Sequence, residues 1–178
     1  MIEVNSYFLK PNVFIDHLEK ASINRNHYFI NVNDTEKVTR HIFPNHPVYP
    51  GSIEIKHLQT TILGIAYNDS IDGLWYNIIT CLHSLTKQQH ASAPFIYHPY
   101  ELSFTHDPAN RDKLTISITR EKTIIDSWEL PREETIIALL QGAEQFFKQL
   151  HELKFSIVVN DTEDIFERIT KLKAYYIS

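Results

Sequence analysis

The chain has 178 residues and carries 17 lysines and arginines against 22 aspartates and glutamates, for a net charge of −5. This acidic balance argues against a protein that binds nucleic acid directly, because the phosphate backbone calls for a basic face. The single cysteine excludes an internal disulfide. The chain also contains no run of about 18 apolar residues, which is the length that a membrane-spanning helix requires. The first ten residues lack the basic and apolar regions of a secretory signal, so we expect a cytoplasmic protein.

Strand signals dominate the start of the chain. Residues 2–9 are strand-like, and residues 27–33 alternate their side chains with the period of two that is typical of a strand. A short helix capped by Asn12 is predicted between them. Residues 38–43 are predicted to return as a partner strand, because an Asn-Asp pair supplies the turn.

Two helices are predicted next, after a proline-rich connector at residues 43–51. The first begins just after that connector and carries an apolar stripe of Ile55, Leu58, Ile62 and Ile65. The second runs from about residue 74 to residue 88 and buries Trp75, Ile78, Ile79, Leu82 and Leu85. The short N-D-S-I-D-G link between them predicts an antiparallel helical hairpin. Cys81 falls inside the second helix, where we expect a buried, unreactive thiol.

The second half of the chain begins with residues 90–99, which lack periodicity and are predicted to be a linker. Residues 100–130 then alternate apolar and polar side chains in three runs separated by turns, which predicts a three-stranded antiparallel meander with one wet face. Pro131 begins a long helix whose apolar stripe has a period of 3.6 residues. Residues 155–159 predict a last strand, and a final helix follows an Asn-Asp cap.

These elements predict an α+β fold in which an antiparallel β-sheet packs against a long amphipathic helix, with the helical hairpin in addition. The length suits a single α+β domain, residues 1–178. Within it, residues 1–90 would form a strand and helical-hairpin half, and residues 91–178 a meander-helix-strand-helix half.

One segment, R-H-I-F-P-N-H-P-V-Y-P-G-S-I-E-I-K-H, resembles the active site of hotdog-fold hydroxyacyl-thioester dehydratases over residues 41–58. The positions that match are Phe43, Pro44, His46, Pro47, Pro50 and Gly51. The family's catalytic histidine would stand at Ile42, one residue after His41, and its helical acid would stand at Lys56. Glu54 is two residues earlier, which on a helix is about 200° away. The two groups of a general acid–base pair must reach the protons that they move. Ile42 and Lys56 occupy the family's catalytic positions and cannot do this, so we expect no enzyme activity.

Cofactor motifs are missing from the sequence. None of the ten histidines forms an i, i+4 pair suited to a zinc site, and there is no Cys-x-x-Cys. Four glycines in all leave no glycine-rich phosphate loop, and no serine has a Gly-x-Ser-x-Gly setting. We therefore expect neither a metal nor a cofactor.

Candidate partner-binding residues come from two groups. Tyrosines on stiff, proline-flanked backbone make good contact surface, and acidic side chains complement a basic partner. These residues are Tyr97, Tyr100, Asp161, Glu163, Asp164 and Glu167. The alternative is structural: the tyrosines would seal the gap between sheet and helices, and the acids would form the solvated start of the last helix.

The pattern P-Y-E-L-S-F, D-K-L-T-I-S-I, W-E-L-P-R-E-E and a helix ending in F-F-K-Q-L spans residues 99–153. It resembles a domain of small bacterial proteins, some of which are similar to immunity proteins of polymorphic or contact-dependent growth inhibition toxin systems. The resemblance implies a cytoplasmic protein that binds one cognate toxin domain, often a basic nuclease, and occludes its active site. A hotdog-type acyl-thioester hydratase or thioesterase with a degenerate active site remains the alternative function, and a homodimer remains open.

Overall fold

The computed structural model describes residues 1–42, 48–155 and 162–177, without the side chains of residues 18, 19, 162 and 163. Sheet 1 is formed by β1 (Ile2–Leu9), β2 (Phe29–Asn31), β3 (Pro50–His57), β4 (Thr60–Leu63) and β5 (Asp69–Ser70). Sheet 2 is formed by β6 (His90–Pro94), β7 (Tyr100–Asp107), β8 (Asn110–Arg120) and β9 (Thr123–Pro131). The helices are α1 (Leu18–Ile23), α2 (Arg25–Tyr28), α3 (Thr35–His41), α4 (Ile71–Ser84), α5 (Arg132–Glu152), α6 (Thr162–Tyr176) and a 3₁₀ turn (Ile65–Tyr67).

Both sheets are antiparallel. Sheet 1 has the order β2-β1-β3-β4, with β5 paired to one end of β3, and sheet 2 is the meander β6-β7-β8-β9. The helices α4 and α5 each contact both sheets, α4 through β3 and β6 and α5 through β1 and β8. One apolar core therefore runs from sheet 1 to sheet 2, and the long helix α5 lies across it as its amphipathic stripe predicts.

Sheet 1 is covered on both faces. On the face toward α4 and α5, Phe8, Ile53 and Ile55 are fully buried in the main core. On the other face, Tyr7 packs with residues of α1, of β2 and of the 3₁₀ turn in a second, smaller core. Side chains alternate between the faces of a strand, so β1 and β3 serve both cores at once.

The predicted α+β class is confirmed, together with the meander and the long helix over it. The helix predicted near residues 74–88 is α4, and its predicted apolar residues are all buried. Cys81 is buried on α4, and that burial raises the pKa of its thiol to about 11. Among the described residues, no helix combines the length and apolarity that crossing a membrane requires.

The first helix predicted after the prolines is wrong, because residues 50–63 form β3, a tight turn and β4. The apolar residues assigned to a helical stripe there also fit a hairpin: Ile55 lies opposite Leu63, and Leu58 takes a φ of 56° at the turn. β3 pairs with β1 from Gly51 to His57 and buries side chains on both faces. The pairing of β3 with β1 therefore outweighs the helical spacing of the apolar residues in the local sequence.

Two further segments differ from the prediction. Residues 35–41 form α3 instead of part of a return strand, since the Asp34 carboxylate accepts a hydrogen bond from Lys37 N and caps the helix. Residues 90–94, predicted to be a linker, form β6, whose Ala91 and Ala93 face the core but are too small to produce a strong apolar signal. The strand predicted at residues 155–159 lies outside the described residues, except for buried Phe155.

Candidate functional site

The two predicted tyrosines have different environments. Tyr97 lies in the loop between β6 and β7 with 58% of its surface exposed. Tyr100 begins β7 and is half-buried, with its ring packed edge-on against the rings of Tyr67 and Phe95. Tyr100 is therefore packed into the fold, whereas Tyr97 is exposed to solvent and can contact a partner.

The predicted acidic residues are only partly described. Asp161 lies outside the described residues, and so does the side chain of Glu163. On α6, Asp164 pairs with Arg168 at 2.9 Å and Glu167 pairs with Lys171 at 2.6 Å. The two partners of each pair are one helical turn apart, and such pairs on a helix surface contribute only about 0.3–0.5 kcal/mol to stability. Since each acid is matched by a base on its own helix, α6 presents less negative charge than its acidic residues alone suggest.

The loop that carries Tyr97 is held by one buried carboxylate. Asp69, on β5, accepts a backbone hydrogen bond from Ile96 N at 2.5 Å and another from Tyr97 N at 3.0 Å. It also accepts one from Ser70 N at 2.8 Å, and only 4% of its surface is exposed. Hydrogen bonds to a charged acceptor are stronger than neutral ones. The backbone of the loop is therefore fixed before any partner arrives.

A second exposed apolar group lies at the same end of sheet 2. The pairing of Tyr100 with Arg120, and of Arg120 with Thr123, places the β8–β9 turn beside the β6–β7 loop. Just after that turn, Ile124 and Ile125 are 62% and 44% exposed.

A bulge in β9 accounts for this exposure. Ile118 lies opposite Asp126 and Thr119 opposite Ile124, so Ile125 is an extra residue without an opposite partner. We call Ile96, Tyr97, Ile124 and Ile125 the sheet-2 tip.

The sheet-2 tip combines exposed apolar side chains with a charged surround. Ile96 is itself 51% exposed and also packs over Gly73 of α4. The charged residues of the adjoining turn are Arg120, Glu121 and Lys122. Exposed apolar side chains at one end of a sheet, with charged residues beside them, are characteristic of protein-binding sites. Sequence reasoning found Tyr97 but missed both Asp69 and the isoleucines, because their proximity arises only from the fold.

In the described residues, His41 and Glu54 of the segment with the dehydratase-like motif do not face each other as the acid–base pair of that family would. Phe43 to Pro47 lie outside them. His41 ends α3, a helix that packs its Val38 into the main core, whereas Glu54 lies on the opposite face of sheet 1. Glu54 is also on a strand and not on a helix, so Glu54 and Lys56 lie on the same face rather than about 200° apart.

Glu54 belongs instead to a partly buried polar cluster. Its Oε2 lies 2.8 Å from Arg25 Nη1 and 3.3 Å from Lys56 Nζ. Arg25 Nη1 also donates to the Tyr7 hydroxyl at 2.5 Å. Burial and the nearby Glu54 carboxylate raise the pKa of Tyr7 above its usual value, so this phenol stays protonated at neutral pH.

No protein-family model, curated protein or solved structure matches this chain. Within residues 1–42, 48–155 and 162–177, no group of three or more histidine, cysteine, aspartate or glutamate side chains is placed to hold a metal ion.

Proposed function

We propose that this protein is an immunity protein that binds a cognate bacterial toxin domain through the sheet-2 tip and occludes the toxin's active site. The observation that carries the proposal is the sheet-2 tip itself, where Ile96 and Tyr97 are exposed on backbone that Asp69 holds in place. A surface that is ordered before binding loses less conformational entropy when it forms a complex.

The charge of the protein favours a basic partner, such as a nuclease. A net charge of −5 attracts a cationic domain and speeds the encounter, while the apolar tip supplies the affinity. Under this proposal the protein acts in the cytoplasm of the cell that makes the toxin. The acids of α6 are secondary in this scheme, because Asp164 and Glu167 are each paired on their own helix.

The hotdog-type hydratase alternative draws less support from the geometry. The acid of that reaction would have to come from Glu54, which is bound by two cations, or from the position of Lys56. Hydration of a crotonyl thioester by the pure protein remains its direct assay, and clear turnover would favour that alternative.

Under the proposal, the toxin is encoded directly upstream of this gene, and the test is complex formation with the C-terminal domain of that upstream gene's product. We expect the two purified proteins to co-elute, the toxin activity to be inhibited, and the Tyr97→Ala variant to bind about 30-fold more weakly, as for an interface hot spot worth about 2 kcal/mol.

Tyr175→Ala is the matched control. Tyr175 is 55% exposed and lies at the other end of α4, where its hydroxyl is 3.4 Å from Thr86 O. This variant should bind like the wild type. Failure of the pair to bind or to protect cells would contradict the proposed function, and an equal loss in both tyrosine variants would contradict the role of the tip.

A further inference from the structure

A polar cavity of about 470 Å³ lies between the two sheets and reaches the sheet-2 tip at Asp126, the residue that follows Ile125. Its walls come from α1 and α2, from the β3–β4 hairpin, from the 3₁₀ turn and from the edge strand β9. The side chains that define its chemistry are Arg25, Glu54, Lys56, Tyr67, Asp126 and Trp128. The size falls within the range of about 300–1,000 Å³ that small-molecule sites occupy.

One end of the cavity carries more positive than negative charge. The Glu54 side chain, only 7% exposed, is shared by Arg25 and Lys56, whose side chains are 28% and 29% exposed. Glu3 pairs with Lys56 across the strands, but it is exposed and does not line the cavity. Two cations against one carboxylate leave one surplus positive charge in a partly desolvated place, which costs free energy unless an anion binds there.

The same end also has hydrogen-bond donors to offer. Arg25 uses a single nitrogen, Nη1, for its bonds to Glu54 and Tyr7 among the described residues. A guanidinium has five N–H groups and an ammonium has three, so Arg25 and Lys56 can both donate to a second anion.

The opposite wall of the cavity is aromatic, and the Asp126 carboxylate on it already accepts a hydrogen bond. Tyr67 donates its hydroxyl to Asp126. Burial and Asp126 together raise the pKa of Tyr67 above its usual value, so the phenol keeps its proton at neutral pH. Trp128 is half-buried beside them and offers a flat apolar surface. A ligand that fits this wall has a planar apolar body, and the negative charge of Asp126 disfavours a dianion.

We propose that this cavity binds a small organic monocarboxylate with an aromatic body, its carboxylate held by Arg25 and Lys56 and its ring packed against Trp128. A monoanion matches the single surplus charge at the Arg25–Lys56 end; with Asp126 included the lining of the cavity is neutral, so the ligand's carboxylate has to lie at that end. A bidentate guanidinium–carboxylate contact gives the anion a defined orientation. The cavity adjoins the sheet-2 tip at Asp126, but the proposed carboxylate site does not require the proposed function to hold.

Intrinsic fluorescence provides the measurement, because the chain has two tryptophans and only Trp128 lines the cavity, whereas Trp75 is fully buried in the main core. We expect benzoate to change the emission of the full-length protein in a saturable way and to bind at least about tenfold more tightly than the uncharged isostere benzamide. The Trp128→Phe variant should lose the optical change and keep the emission of Trp75.

The variants separate this site from non-specific binding. Lys56→Met should weaken benzoate at least about tenfold, while Lys171→Met, which removes a lysine 73% exposed on α6, should leave it unchanged. Circular dichroism of Lys56→Met checks that the variant is folded, and calorimetry repeats the titration without an optical signal. Equal binding of benzoate and benzamide, equal binding of inorganic phosphate, or equal losses in the two lysine variants would overturn the proposal.

Discussion

Replacing Asp69 with alanine is expected to lower the free energy of unfolding by about 3 kcal/mol and to weaken binding of the toxin domain. The side chain is buried and accepts three backbone hydrogen bonds, from Ser70, Ile96 and Tyr97. Without it, these N–H groups lose a charged acceptor, and each hydrogen bond to a charged group contributes a net amount of about 1.5–3 kcal/mol; the total loss is smaller than the sum of three because water can reach some of the N–H groups in the variant. Urea denaturation measures the stability, and calorimetry with the toxin domain measures the affinity.

The matched control is Asp107→Ala. Asp107 is exposed in the β7–β8 turn, and its carboxylate accepts one backbone hydrogen bond, from Ala109 N at 2.8 Å. Water can replace that bond, so a loss below about 1 kcal/mol is expected. If Asp69→Ala and Asp107→Ala proved equally mild, the loop would not depend on the buried carboxylate, and the case for a surface fixed before binding would fail.

Replacing Trp75 with alanine is expected to cost about 4 kcal/mol, within the range for deleting a buried aromatic side chain. Trp75 is fully buried on α4, donates its indole N–H to Ser6 Oγ at 2.9 Å, and lies near the ring of Phe146 on α5. It therefore ties both helices to sheet 1. Gly142 of α5 permits this close approach, because an added Cβ would lie 3.0 Å from the Trp75 ring.

Guanidinium denaturation followed by far-ultraviolet circular dichroism checks this value. Trp128→Ala serves as the comparison, because the half-buried Trp128 lies on an edge strand, and its loss should cost less than half as much. A smaller loss for Trp75→Ala than for Trp128→Ala would mean that the main core is not centred on α4 and α5.

The sequence predicts those parts of the fold whose local pattern agrees with their final environment. The meander β7–β9 has one face in the core and one in solvent, so its period of two is visible in the sequence. The helix α5 buries a single stripe, so its period of 3.6 is visible too. In both cases the element has one buried face and one solvent face, so the spacing of its apolar residues reveals its conformation.

Prediction fails where the environment is more complex. β3 is buried on both faces, and its apolar residues together with those of β4 happen to repeat at helical spacing. β6 faces the core through Ala91 and Ala93, which are small enough to resemble a linker.

The sheet-2 tip could not be predicted as a surface from local patterns, although Tyr97 was. Asp69 and Ile96 are 27 residues apart in the chain, and Ile124 joins them only through strand pairing. Tyr97 was recognisable because an aromatic side chain next to prolines predicts contact surface, but the sequence does not reveal what holds it in place.

The central claim is that the sheet-2 tip is the surface that meets the toxin, and hydrogen–deuterium exchange of the free and toxin-bound protein tests it most directly. We expect amides in residues 95–99 and 121–126 to exchange more slowly in the complex, while those around Tyr175 remain unchanged. Protection at α6 or elsewhere in a stable complex, with both tip segments exchanging as in the free protein, would contradict the claim.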